Sequence, residues 1–197
     1  MMTKTRFLIL FTVTLLFSGC ALNNYTIEQP YQPVLQKFDG AEKYSVSSKV
    51  SLQPVFADDP TVVAVKKNAY GIETARIYLY ENVEGWLQKA FDKELNMAGF
   101  NLNNSNKIKV TLKVEQLFVE PWVGFLSADL VGIFKAEAKV QLPKKDSYYI
   151  RRFVTLERSA SMVWTDGSME EKFLQVAQKG VSDIVKEISW LILEKKK

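Results

Sequence analysis

The 197-residue sequence contains no histidine and a single cysteine, Cys20. Without histidine the chain lacks the side chain that titrates near neutrality, the usual general base, the Ser-His and Cys-His nucleophile pairs and the commonest metal ligand. A lone cysteine excludes an internal disulfide, so the fold has to stand on its hydrophobic core. There is no basic stripe interleaved with aromatics, which argues against nucleic acid as a partner. EF-hand, P-loop and dinucleotide-binding fingerprints are also absent. We therefore expect no catalytic residues, no cofactor and no metal. Asp58 and Asp59 form an adjacent carboxylate pair that invites acid–base chemistry, but they precede Pro60, and a turn accounts for them better.

Long hydrophobic runs are missing too. The longest, Phe7 to Phe17, has eleven residues and is interrupted by Thr12 and Thr14. A membrane-spanning helix needs about 18–20. Lys4 and Arg6 precede the run and Ser18-Gly19 follow it, which is the order of a secretory signal. Phe17-Ser18-Gly19-Cys20 resembles the bacterial lipobox, with Phe17 where leucine is usual. The resemblance implies that residues 1–19 are a lipoprotein signal peptide and that the thiol of Cys20 carries lipid. Ala21 follows, where an aspartate would favour inner-membrane retention in enteric bacteria. The implied location is thus the periplasmic face of the outer membrane, in preference to the outer leaflet of the inner membrane. Several acyl chains make a durable anchor, because each buried methylene contributes about 0.8 kcal/mol.

The 178 residues from Cys20 to Lys197 are one domain's worth. Residues 20–43, polar and interrupted by Pro30 and Pro33, read as a lipidated N-terminus and flexible tether. From Tyr44 the chain reads as a single domain to residue 197. Tyr44, Val46, Val50 and Leu52 share one strand parity. Short strands follow near Thr61–Val65 and Arg76–Tyr80. Val83, Trp86, Leu87, Ala90, Phe91, Leu95 and Ala98 recur at helical steps, with Asn82 placed to cap and Gly99 at the C′ position.

Three long alternating segments come next. Ile108, Val110, Leu112 and Val114 form one apolar face. Leu130, Gly132, Phe134, Ala136, Ala138, Val140 and Leu142 form a second. Tyr148, Ile150, Val154, Leu156 and Ala160 form a third, which places Arg152 and Arg158 on an apolar parity, where they lie toward sheet ends or pair with acids. A last helix carries Phe173, Leu174, Ala177, Val181, Ile184, Val185, Ile188, Leu191 and Ile192, with Ser168 and Glu171 at capping-box spacing. One apolar face per strand predicts an α+β two-layer sandwich, a mainly antiparallel sheet with the two helices packed on one face.

The stretch from Val63 through Lys66-Lys67-Asn68-Ala69-Tyr70-Gly71 to Thr74, followed by Ala90-Phe91, Glu94-Leu95 and Ala98-Gly99-Phe100, is similar to the YajG-like group of small bacterial lipoproteins. That resemblance implies a periplasmic domain that binds partners. It brings no reaction and no catalytic residues with it.

The most unusual feature is the segment Phe118 to Leu126, where Pro121 and Gly124 interrupt a run rich in aromatics. Trp122, Phe125 and Leu126 are the candidate partner-binding residues there, set against the plainer reading that they close one end of the core. The paired cations Lys66-Lys67 and Arg151-Arg152 are more simply a solvated strand surface than a lipid-binding patch. Three functions compete. The first is a non-catalytic binding or scaffold module, or an envelope-assembly accessory, docking an envelope protein. The second is a lipid-handling or transport accessory contacting acyl chains or headgroups. A hydrolase is the third and is disfavoured by the absence of histidine. The expected partners are the membrane, through lipid on Cys20, and an envelope protein; oligomeric state is not encoded in any pattern.

Cys20→Ser is expected to abolish fatty-acid labelling of the protein. If the variant loses its leader and still sediments with membranes like the parent, the lipobox reading is wrong.

Overall fold

The computed structural model describes residues 23–68, 70–102, 107–123, 128–144, 147–160 and 164–194. The leader, Cys20, Phe125, Leu126 and the C-terminal lysines lie outside them. Seven strands make one sheet: β1 (Tyr25–Ile27), β2 (Ser45–Leu52), β3 (Val62–Lys67), β4 (Glu73–Leu79), β5 (Lys107–Val123), β6 (Ala128–Gln141) and β7 (Tyr148–Ala160). Two helices, α1 (Val83–Met97) and α2 (Asp166–Glu194), complete an α+β fold. The sheet order is β1-β4-β3-β5-β6-β7, and β2 pairs with β5 as well.

The sheet is mixed, not purely antiparallel. The β3–β4, β5–β6 and β6–β7 pairs are antiparallel, whereas β1–β4, β2–β5 and β3–β5 are parallel. Alternation reports which side of a strand is buried and carries no information about the direction of its neighbour.

The 17-residue β5 organises the rest. β2 pairs with its first half, Ser45 opposite Lys107 through Leu52 opposite Val114. β3 joins the same edge further on, with Ala64 opposite Val119. Between these two contacts β5 carries a bulge, where the register against β6 shifts between Val114 and Gln116. One extra residue reverses parity. Ile108, Val110, Leu112 and Val114 enter the main core before it, and Leu117 and Val119 enter after it. Phe118 thereby points to the other side, into a second small cluster with Val62 and Val65, roofed by Phe56 at 5.7 Å from the Phe118 ring.

Helix α1 starts where Asn82 Oδ1 accepts the backbone N–H of Glu84 and Gly85, and it ends at Gly99, whose φ of 101° is the left-handed C′ conformation. Its apolar stripe enters the core as the sequence predicts. Its other job is to cover an edge. Leu52 N–H donates to Glu84 Oε2 at 2.9 Å and Val50 N–H to Gln88 Oε1 at 2.7 Å, so two helix side chains one turn apart satisfy the β2 backbone that no strand pairs. Helix α2 starts three residues earlier than its expected cap: Ser168 N–H donates to Thr165 Oγ1 and Thr165 N–H to Ser168 Oγ, a reciprocal box that replaces the one expected between Ser168 and Glu171.

Two sequence readings are corrected. From Asn23 onward the expected flexible tether is part of the domain. β1 pairs with β4, and Ile27, Tyr31, Leu35 and Ala41 are buried. The strap is held by Glu94, buried on α1, which accepts hydrogen bonds from the Tyr31 hydroxyl (2.8 Å) and from the backbone N–H of Val34 and Leu35 (2.7 Å to Leu35). Burial, with the Glu94 charge beside it, pushes the Tyr31 hydroxyl far up, so it remains a donor. The second correction is β7. Tyr149 and Phe153 pack on the core, and Thr155 is buried, while Tyr148, Ile150, Val154 and Leu156 face solvent. The strand is turned over relative to its expected orientation. Arg152 and Arg158 consequently lie outside, paired with Glu137 and Asp129.

Gly132 on β6 and Gly180 on α2 mark the closest approach of helix and sheet. A Cβ at Gly180 would stand 2.6 Å from the Phe134 ring, and one at Gly132 would stand 3.1 Å from Val176. Gly180→Ala is expected to destabilise the domain: overpacking costs about 1–3 kcal/mol, against roughly 1 kcal/mol gained from helix propensity. Gly167→Ala, in the open first turn of the same helix, has nothing within 4 Å and should stabilise. Opposite shifts in melting temperature check this; equal shifts would mean the helix–sheet distance is wrong.

Candidate functional site

Two surfaces at opposite ends of the molecule stand out. The first is where β3 and β5 finish and where β4, β6 and α2 begin. Lys67 lies opposite Glu73, and the parallel register of Ala64 with Val119 carries Lys67 level with Trp122. The cations here are neutralised one by one. Lys66, only 2% exposed, pairs with Asp166 at 2.5 Å and donates to the Asn23 carbonyl at 2.8 Å. Lys67 pairs with Glu120 at 2.5 Å, and Arg76 pairs with Glu73 and Asp58. A buried ammonium is tolerable only when it is paired and hydrogen-bonded, and Lys66 has both a carboxylate and a carbonyl acceptor. The Asp58-Asp59 pair resolves as a turn: Asp59 Oδ1 accepts from Thr61 N–H at 3.0 Å, which with the Thr61 hydroxyl holds the Asp59 carboxyl below the usual carboxylate range.

From this end project the side chains of the β3–β4 turn. Asn68 Oδ1 accepts the N–H of both Tyr70 and Ile72, and Gly71 takes a φ of 77°. That closed turn leaves Tyr70 89% and Ile72 62% exposed. Trp122, 47% exposed, stands beside them at the end of β5, its Nε1–H donating to Glu120 at 3.3 Å. The segment expected to be an irregular loop is strand as far as Val123, with Pro121 opposite Leu130 and Trp122 opposite Asp129. Of the three candidate residues, Trp122 is thus on the surface, and Phe125 and Leu126 fall outside the described residues.

The second surface escaped the sequence reading. β7 is the last strand in the sheet order and pairs with β6 alone. Its solvent side carries Tyr148, Ile150, Val154 (70% exposed) and Leu156, with Arg152 between Ile150 and Val154, along about 27 Å at roughly 3.4 Å per residue. Beside it, under the last turns of α2, an open cleft of about 310 Å³ is lined by Ala138, Val140, Tyr149, Phe153, Ile188 and Leu191, with Trp190 63% exposed on its rim. Arg151 and Glu187 close one wall with a 2.7 Å ion pair. The signal that could have located this surface is the composition of β7 itself, which carries large apolar residues on both parities, more than one buried face can use.

Among the described residues no three His, Cys, Asp or Glu side chains are gathered as metal ligands would be. No described helix is long and apolar enough to cross a membrane.

Among solved structures, protein XCC0632 from Xanthomonas campestris is similar to this chain at a TM-score of 0.57 and 12% identity, over 83% of this chain and 92% of that one. An uncharacterized protein matches at 0.55 and 10%, over 84% and 99%. Rare lipoprotein B from Shewanella oneidensis matches at 0.41 and 11%, over 77% and 96%. At such identities the first two likenesses speak for the fold alone. No functionally curated protein matches the sequence significantly. The family model described as "Uncharacterized lipoprotein" matches residues 45–189, from the start of β2 nearly to the end of α2. That match covers most of the chain, and with it the chain belongs to the YajG family of uncharacterized lipoproteins.

Proposed function

We propose that this lipoprotein is a non-catalytic envelope module, anchored by lipid on Cys20 at the periplasmic face of the outer membrane, whose β7 edge receives an extended segment of an envelope protein. The observation that carries the reading is the apolar column on β7. A thirteen-residue edge strand whose exposed face carries four large apolar side chains, with Arg152 and Arg158 each paired to an acid of β6, invites an added strand. The contrast with β2 supports the reading: there Glu84 and Gln88 accept from the backbone N–H groups of Leu52 and Val50. An incoming strand would gain main-chain hydrogen bonds along β7 and place alternate side chains over Ile150, Val154 and Leu156. Trp190 and the adjoining cleft offer a pocket for one larger anchor, the kind of contact that dominates binding energy. The filled core and the open shape of the cleft favour this over the reading in which the domain carries an acyl chain.

Photo-crosslinking residues placed at Ile150 and Val154 in the native envelope are expected to capture one protein that the same probe at exposed Met97, on α1, does not. Leu156→Lys should remove that product while changing stability by no more than roughly 0.5 kcal/mol, the usual range for a surface site. Equal capture from Met97, or a melting temperature that collapses in Leu156→Lys, would overturn the assignment.

A further inference from the structure

We infer that the end of the domain bearing Tyr70, Ile72 and Trp122 is seated in the headgroup layer of the bilayer that holds the Cys20 lipid. The inference rests on lipid anchoring at Cys20 and concerns how the anchored domain is oriented.

Its first support is chain length. Asn23 is fixed on the domain: its carbonyl accepts from Lys66 Nζ at 2.8 Å, and the next side chain, Asn24, accepts the Arg76 N–H at 3.0 Å. Only Ala21 and Leu22 separate Asn23 from Cys20, and the three Cα–Cα steps reach about 11 Å at most. A lipidated Cys20 therefore brings the bilayer surface to within a few side-chain lengths of Asn23. A protein on a long tether could present any face to the membrane; this one cannot.

Its second support is register. Tyr25 lies opposite Ile77 and Lys66 opposite Ala75, so Asn23 is level with the start of β4. Among the described residues, the parts of the domain projecting past that level on the same side include the β3–β4 turn and the end of β5, where Tyr70, Ile72, Trp122 and Val123 are exposed. Tyrosine and tryptophan are the side chains that favour the membrane–water boundary, one end apolar and the other wet. The Asn68 hydrogen bonds hold Tyr70 and Ile72 outward in a preformed turn, so little ordering is left to accomplish on contact.

The third support is charge. Lys66, Lys67 and Arg76 are all taken up by carboxylates at this end. The seat is therefore interfacial and apolar, not electrostatic, and neutral phospholipid suffices for it. The alternative electrostatic orientation would turn the sheet face bearing Lys49, Lys109, Lys113 and Lys139 toward anionic lipid instead; these residues follow one another across β2, β5 and β6.

The test uses the full lipidated chain in vesicles. With the Cys20 thiol acylated the protein has no other cysteine, so Ile72→Cys and Trp190→Cys each offer a unique labelling site. Vesicles of phosphatidylcholine carrying a headgroup quencher should quench a fluorophore at position 72 several-fold more than one at position 190, and adding phosphatidylglycerol should leave the ratio unchanged. Flotation with vesicles and intact mass are read on the same samples. Protein that lacks the lipid mass and does not float overturns the anchor, and the seating with it. Protein that floats but quenches equally at both positions overturns the seating alone. Quenching at position 72 that appears only with phosphatidylglycerol overturns the apolar seat in favour of the electrostatic orientation.

Discussion

Every layer of this fold is referred to a single extra residue in β5. The strand is too long for one partner on either edge to set its faces, and it serves two on one side, β2 and then β3. Because side chains alternate with a period of two, an uninterrupted strand would have to bury either Leu112 and Val114 or Leu117 and Val119, never both sets. The bulge after Val114 reconciles them. It also releases Phe118 to the far side, where Val62, Val65 and Phe56 enclose it. The second small core, and with it the packing of β3 against the sheet, follows from that half-turn.

The N-terminal strap is the second device. Glu94 is an acid in the middle of an otherwise apolar helix face, and its place there makes sense only with the strap in position, where three donors meet its two oxygens. Removing the carboxylate would leave the Val34 and Leu35 amides without their acceptor, a cost borne by the strap more than by the helix. Tyr31 meanwhile packs edge-on to Trp86 at 5.7 Å, and Tyr25 donates to Glu170 on α2. The segment that follows Cys20 in the chain is thus bolted, from Tyr25 onward, to both helices.

What could be read from the chain follows the clarity of its periods. Helix α1, with Asn82 before it and Gly99 after it, and the alternation of β6 from Leu130 to Leu142 were visible because propensity, capping and burial all agree there. β7 defeated the same method. Both of its parities are mixed, Tyr148-Ile150-Val154-Leu156 against Tyr149-Phe153-Thr155, and alternation cannot say which set is inside when the outer one is apolar for another reason. The strap failed differently. Ile27, Tyr31 and Leu35 recur every four residues without forming a helix, and Pro30 and Pro33 disguise a docked segment as a linker. Its one legible clue was Glu94, an unexplained charge within an apolar stripe. Of the candidate site, Trp122 was identified from its neighbours, but its membership of β5 was hidden by Pro121.

The direction of β1 carries a mechanical consequence. It runs parallel to β4 from Tyr25 to Ile27, beginning at the end where the chain leaves toward Cys20. A force pulling the domain away from its attachment point acts along the strand axis, so its rungs are loaded in shear and must yield together, where a perpendicular pull would peel them one at a time. The load then passes through Tyr25 to α2 and through Tyr31 and Glu94 to α1. A domain built this way resists unzipping from its N-terminal end.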